Sequence, residues 1–277
     1  MGCTSAISGR LGDELVESHI ASLVSRKVNI RIHNVSVEYS RAILDNIELE
    51  IEAGEFVSIV GQTGCGKSTL LRLILGEEQP TSGQVIVGGK PRRQPDPTCG
   101  YVPQKYSLFP DRTVLGNVMF GLKGGRGCRD KAMHFLRRTG LQDSDAGKYP
   151  HQLSGGMQQR VAIAQALVLN PPVLLMDEAF SALDPGTRKG MQRLMRDLWR
   201  ESGTTIVFVT HNTREAVCLG TRVIALAKDS SERGSSIALD ISAPHLDFDS
   251  DEAELRSVIC EVESATTNSQ LTQHVFL

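Results

Sequence analysis

From Val28 onward the hydrophobic and polar positions settle into regular periods. Ile47, Leu49 and Ile51 alternate with Glu48, Glu50 and Glu52, the period of two that turns one strand face to a core and the other to solvent. Residues 55–60 read as a buried strand and the glycine-rich stretch 61–66 as a loop. A helix is expected over residues 67–75, with Gly76 as its C-cap. Residues 84–87, followed by Gly88-Gly89, predict a short strand ending in a turn. Between about 105 and 170 the texture changes to helix-compatible segments separated by glycine-rich turns. The uncharged run 161–176 is broken by Pro171 and Pro172 into helix, turn and strand. Strands return at 173–176 and 206–209. Between them Pro185 opens a helix that runs to about Glu201, with Gly203 beyond its end. Past Lys228 the pattern is less regular, except for a helix expected over 251–263. Strand and helix alternating around a helical insertion predict an α/β core.

Composition narrows the class without changing this outline. The 277 residues carry 30 Lys+Arg against 32 Asp+Glu, with 40% hydrophobic and 22% charged positions, values of an ordinary globular chain. That length allows one large domain, or a core with an inserted subdomain. A formal charge of −2 argues against a nucleic-acid partner, which calls for a basic excess or stripe. The locally basic run 123–138 reads as a solvated helical face. No apolar run reaches the 18 or so residues that span a bilayer, and no basic segment followed by an apolar core marks a secretory signal. Met1-Gly2-Cys3 opens like a myristoylation signal, but Ala6 stands where that signal needs Ser or Thr. Cys3, Cys65, Cys99, Cys128, Cys218 and Cys260 are scattered with no C-x-x-C pair, which fits a reducing cytosol. The expected compartment is therefore cytosolic, and any membrane crossing is left to another chain.

Candidate chemistry begins at Gly61-Gln62-Thr63-Gly64-Cys65-Gly66-Lys67-Ser68, which matches G-x-x-x-x-G-K-[ST]. Glycines let the backbone curl so that successive N–H groups face phosphate oxygens, and the helix that follows adds its positive end. Lys67 is placed to reach β- and γ-phosphates, and Ser68 offers a hydroxyl to Mg²⁺. A flexible turn is the bland alternative. Chance alone yields such a match in roughly one chain in a hundred of this length, and here a strand precedes it and a helix follows. Nucleotide binding is the reading, with Gly61, Thr63, Gly64, Cys65, Gly66, Lys67, Ser68 and Thr69 as its residues.

Downstream, the apolar run 173–176 ends in Asp177-Glu178. A buried strand that delivers carboxylates at its C-terminal end places them where α/β sheets bind ligands. Asp177 is suited to Mg²⁺ and Glu178 to polarising an attacking water. Alone, this pair reads more readily as an acidic turn; the upstream phosphate loop reverses that preference. His211 follows the next apolar strand, and spacing alone leaves it between a structural histidine and a donor to a γ-phosphate.

The deciding segment is Leu153-Ser154-Gly155-Gly156-Met157-Gln158, which resembles the signature of ATP-binding cassette (ABC) ATPases. Other marks of that family occur in order. Tyr39 resembles the aromatic that stacks on adenine, Gln104 the glutamine-loop residue, Ser181-Ala182-Leu183-Asp184 the D-loop, and His211 the switch histidine. The resemblance covers about residues 28–228 and implies a P-loop NTPase: a RecA-like α/β core, an antiparallel β subdomain, and an inserted helical subdomain over about 105–170. Residues 1–27 and 229–277 are then extensions. It also implies ATP and Mg²⁺, with Ser68, Gln104 and Asp177 at the metal and Glu178, His211 and Gln104 in hydrolysis. Two copies pair head to tail, so that Ser154, Gly155 and Gly156 of one form a second anion site on the other's nucleotide. Asn212, where relatives often have Asp, and Ala179, where many have Pro, depart from the pattern without removing a catalytic group.

The wording Tyr149-Pro150-His151-Gln152 before the signature resembles the nitrate/sulfonate/taurine group of bacterial importers, as do Leu108-Phe109-Pro110 and residues 113–118. That implies the ATPase subunit of an importer for a small anion. It would act peripherally on the cytoplasmic face of the inner membrane, with permease subunits and, through them, a substrate-binding protein. The alternatives are an exporter ATPase or a non-transport ABC ATPase. The latter usually carries two cassettes, a long coiled coil or basic arms, and none is visible. A small-molecule kinase has no use for the signature.

Overall fold

The alternating stretch folds as a hairpin: β1 (Ile30–Glu38) pairs antiparallel with β2 (Ala42–Ile51), burying Ile47, Leu49 and Ile51 and leaving Glu48 and Glu50 in solvent. The computed structural model describes residues 28–267 apart from 98, 106, 123, 126, 229–232, 244, 245, 247 and 249. The expected extension 1–27, with its myristoylation-like opening, and parts of the basic run 123–138 lie outside the described residues.

Five parallel strands form the other half of the sheet. These are β3 (Phe56–Gly61), β6 (Cys99–Val102), β7 (Val173–Asp177), β8 (Thr205–Val209) and β9 (Arg222–Lys228), in the spatial order β9-β3-β8-β7-β6. β4 (Ser82–Val87) and the two-residue β5 (Lys90–Pro91) extend the antiparallel half beyond β1. β10 (Ser235–Ser242) joins the halves, antiparallel to β9 along its length and parallel to β2 through the single pairing of Ser235 with Leu44.

Strands β3, β7 and β8 are buried throughout, so their apolar runs do not alternate with polar positions. Their side chains divide between two cores. Val57, Ile59, Leu175, Val207 and Val209 pack under α1 (Lys67–Leu75) and the inner face of the β1–β2 hairpin. Phe56, Leu174, Met176, Ile206 and Phe208 face α2 (Val114–Met119), α3 (Cys128–Arg138), α4 (Gly155–Leu167) and α5 (Pro185–Ser202). Each such side chain contributes about 1.5–3 kcal/mol by leaving water. Asp184 caps α5 by accepting from the Thr187 N–H at 3.0 Å, Pro185 occupies its first turn, and Gly203 ends it in the left-handed region.

The extension expected from residue 229 onward is corrected by the sheet. β10 sits in the middle of the ten strands, and α7 (Glu252–Thr267) packs with α6 (Thr213–Leu219), β9 and β10 around a third apolar cluster. The boundary placed at Lys228 therefore falls between two paired strands. A mixed sequence such as Ser-Ser-Ile-Ala-Leu-Asp-Ile-Ser becomes a strand because β9 offers it a ladder, a tertiary condition that its own pattern does not carry.

Candidate functional site

β3 and α1 create the phosphate loop by running into each other through Gly61–Ser68. Gly66 caps α1 at φ 91° and ψ 10°, and a Cβ there would lie 2.6 Å from Leu44 Cδ2, so both conformation and space require glycine. Thr63 and Gly64 stand exposed at the crest, while Ser68 and Thr69 are half-buried in the first helical turn. That turn contains no acidic residue, so the positive end of α1 is uncompensated by its own side chains. The Lys67 ammonium, on a side chain in a residue only 6% exposed, donates to Gly61 O at 2.8 Å and Gln62 O at 3.0 Å. A buried cation, a helix N-terminus and a curled glycine backbone converge here, and that donor set fits a polyphosphate.

Cys65 offers only its backbone to the loop's concave face. Its thiol turns inward, is 2% exposed and lies 3.9 Å from Lys67 Nζ. Burial pushes this thiol above its ordinary value, against the pull of Lys67. The inward turn has a steric cause: a Cβ on residue 61 would stand 2.6 Å from the sulfur, so Gly61 makes the room.

Across the sheet, register places Asp177 beside Val209, and Val209 beside Ile59, two residues before the loop. Asp177 is 5% exposed; burial raises its carboxyl above the ordinary 3.8, and a hydrogen bond from the Ser68 side chain pulls it back. Ser68 and Asp177 thus bring two oxygens together at the start of α1, a donor set that suits a hard cation such as Mg²⁺. Tyr101 on β6 is close enough to feel Asp177; burial first, and that charge second, push its phenol up to about 12.

Glu178 adopts the left-handed region at φ 46°, rare for a residue with a side chain and costing on the order of 1–3 kcal/mol. The strain is held by its N–H donating to Val209 O at 2.9 Å and its carbonyl accepting from Ser181 N at 3.0 Å. The resulting turn sets the carboxylate between two partners: Gln104 Nε2 donates to Oε2 at 2.9 Å, and His211 Nδ1 lies 3.1 Å from Oε1. Gln104 stands two residues past β6 and His211 two past β8, so the ends of three parallel strands converge on one carboxylate. Among the described residues no hydrogen bond ties Gln104 to Asp177 or Ser68.

Ser154 caps α4, its hydroxyl accepting from Met157 N at 3.3 Å, and Gly155 and Gly156 form the first turn. Gly156 abuts the 181–184 turn; a Cβ on it would lie 3.5 Å from Ala182 O. Among the described residues no hydrogen bond or ion pair joins 154–156 to 61–69. Tyr39 follows the end of β1 in a bend, with 58% of the residue exposed and its hydroxyl donating to Glu78 Oε2 at 2.7 Å. Asn212 caps α6 by accepting from Glu215 N at 3.0 Å, and Ala179 is wholly buried. Sequence reasoning missed Thr210 and Glu215, buried polar residues on either side of His211 whose hydrogen bonds surround its turn.

Comparison with known proteins adds an independent line. A family model described as ABC transporter matches residues 44–181. An aliphatic sulfonates import ATP-binding protein, SsuB, of Pectobacterium atrosepticum is 37% identical over 262 residues, covering 94% of this chain and 97% of that protein. SsuB 1 of Burkholderia cenocepacia is 48% identical over 205 residues, which cover 74% of this chain and 61% of that relative's length. Among solved structures, the dimeric ATP-binding cassette MJ0796, in a post-hydrolysis state bound to ADP and Pi, superposes with a TM-score of 0.70 at 34% identity. It covers 78% of this chain and all of that one.

Proposed function

The chain belongs to the ABC transporter family, and on that premise we propose that it is the ATP-hydrolysing subunit of an importer for a small anion. The observation that carries the hydrolytic half is the Glu178 carboxylate, fixed between Gln104 and His211 at the strand ends beside the phosphate loop. Lys67, the amides of 61–66 and the start of α1 bind the β- and γ-phosphates, with Tyr39 offering an exposed ring for adenine. Ser68 and Asp177 hold Mg²⁺, with Gln104 joining them through its neighbour Glu178. Held there, Mg²⁺ would supply positive charge that neutralises the triphosphate. Glu178 polarises the attacking water, and His211 donates to the γ-phosphate. Gln104, between Glu178 and the helical insertion, links this chemistry to the membrane partner.

The importer half is supported by the relatives named for aliphatic sulfonate import. A sulfonate-like anion is the solute, selected by other subunits: a pair of permease chains and a substrate-binding protein. Among the described residues no helix is long and apolar enough to cross a membrane. The subunit acts as a head-to-tail dimer on the cytoplasmic face, docked on the permease. Its cassette begins at residue 28 and takes in β10, with 105–170 as the helical subdomain.

Two measurements test this reading. Lys67→Ala should fold and lose ATPase activity by about 10²-fold or more, the usual loss for a removed charge-stabilising donor. Chains copurified from native membranes should include a permease. A folded Lys67→Ala protein with near-parent hydrolysis contradicts the ATPase assignment, and copurification with only soluble chains contradicts the transport assignment.

A further inference from the structure

Glu215 is a buried carboxylate on α6, 9% exposed, with no part in phosphate or metal binding. Both of its carboxylate oxygens and its N–H are nevertheless engaged. Oε2 accepts from the Thr210 hydroxyl at 2.8 Å, and Oε1 from Gln192 Nε2 at 2.8 Å. Its own N–H donates to Asn212 Oδ1 at 3.0 Å, and Asn212 N donates to Thr210 Oγ1 at 3.1 Å. Residues 210, 212 and 215 thus close a ring of hydrogen bonds around the turn that carries His211. Gln192 anchors that ring to α5. One helical turn earlier, Arg188 Nε lies 3.9 Å from Glu215 Oε1, and Arg188 Nη2 donates to Leu183 O at 2.9 Å. Through Arg188 the same carboxylate is tied to the 181–184 turn, against which Gly156 packs.

We propose that Glu215 is a positioning residue for His211, fastening the 210–212 turn to α5 and the 181–184 turn so that the imidazole stays within reach of Glu178. The inference rests on the ATPase reading above for its kinetic consequence and on geometry alone for its structural one. A carboxylate suits the place because it accepts from two donors on different elements at once, whereas a neutral amide brings a donor of its own. Leaving either partner unsatisfied in a buried site loosens the turn.

The test compares the full-length parent with Glu215→Gln, His211→Ala and the double variant in ATPase kinetics, thermal melting and amide hydrogen exchange at 210–215. Glu215→Gln should melt as a cooperative fold, exchange faster at Asn212 and Glu215, and lower kcat by up to about 100-fold while ATP KM stays near the parent's. A loss of that size is what roughly 1 Å of misplacement produces. In the His211→Ala background it should remove no further activity, because both changes disable one device. Thr210→Val, which removes both the bond to Glu215 Oε2 and the one accepted from Asn212 N, should reproduce the faster exchange at position 215 and serves where Glu215→Gln melts out. Losses that multiply in the double variant, or exchange at position 215 unchanged in both Glu215→Gln and Thr210→Val, overturn the proposal. A parent without ATPase activity refutes the proposed function instead, and the exchange data still decide whether Glu215 holds the turn.

Discussion

Cys65 stands in the middle of the phosphate-loop sequence, yet its sulfur is packed beneath the loop rather than aimed at phosphate. Burial raises its thiol, so little thiolate is available, and access requires the loop to move. A bulky maleimide should therefore label the exposed Cys260 on α7 well before Cys65, as followed by mass spectrometry of timed digests. Equal labelling rates at the two positions would place Cys65 on the surface of the cradle. Lys67 and Ser68 are legible in the sequence because side-chain type and local spacing define their chemistry, whereas Asp177 is legible only beside the upstream phosphate loop and His211 only through the family resemblance. The left-handed backbone of Glu178 is not legible, since no glycine marks the position and the hydrogen bond from its N–H to Val209 O comes from another strand. The same holds for Cys65, whose direction depends on the space beside Gly61, and for Glu215, whose donors lie on α5 and at the end of β8.

Elements with a local cause were read directly. The alternation of β2, the apolar run of β3, and the Asp184-Pro185 start and Gly203 end of α5 are all written into neighbouring residues. β10 was missed because its pairing is set by β9, and β6 because four residues at a sheet edge carry too short a pattern. The connection between α3 and α4 offers an element-level test. Asp145 there accepts from Lys148 Nζ at 2.7 Å and from Gln142 N at 2.9 Å. The Lys148 hydrogen bond is the main reason its carboxyl lies below the ordinary 3.8. The fold thus favours the ionised form. That stabilisation is complete above the ordinary value and is lost as pH falls through the lower folded one. Asp145→Asn keeps the size and removes the titration. In urea melts its stability should decline less than the parent's from about pH 5 downward, and identical declines would show that the turn does not depend on the carboxylate's charge.

At the scale of the whole molecule, the sheet gathers the phosphate loop, Asp177, Glu178 and His211 at the C-terminal ends of its parallel strands, while Ser154, Gly155 and Gly156 open a separate helix against the 181–184 turn. In the proposed head-to-tail pair the signature of one copy would face the phosphate loop of the other, and a nucleotide held by both would stabilise that closed pair by binding it better. The dimeric cassette MJ0796 shares the fold over the whole of its length. In this account binding and chemistry are separable: Lys67, Ser68 and Asp177 hold nucleotide and metal, and Glu178 acts on water. Glu178→Gln keeps the side chain's size and removes its charge, so ATP should still bind while hydrolysis slows by about 10²–10⁴-fold. The ATP-bound dimer should then accumulate, and Ser154→Arg, which fills the second anion site with a bulky cation, should abolish it. The direct measurement is sizing chromatography of Glu178→Gln with Mg-ATP, with and without Ser154→Arg. Glu178→Gln alone should elute as a dimer and the double variant as a monomer; a dimer that survives Ser154→Arg, or a Glu178→Gln protein that stays monomeric with saturating ATP, would contradict the proposed nucleotide-bridged pair.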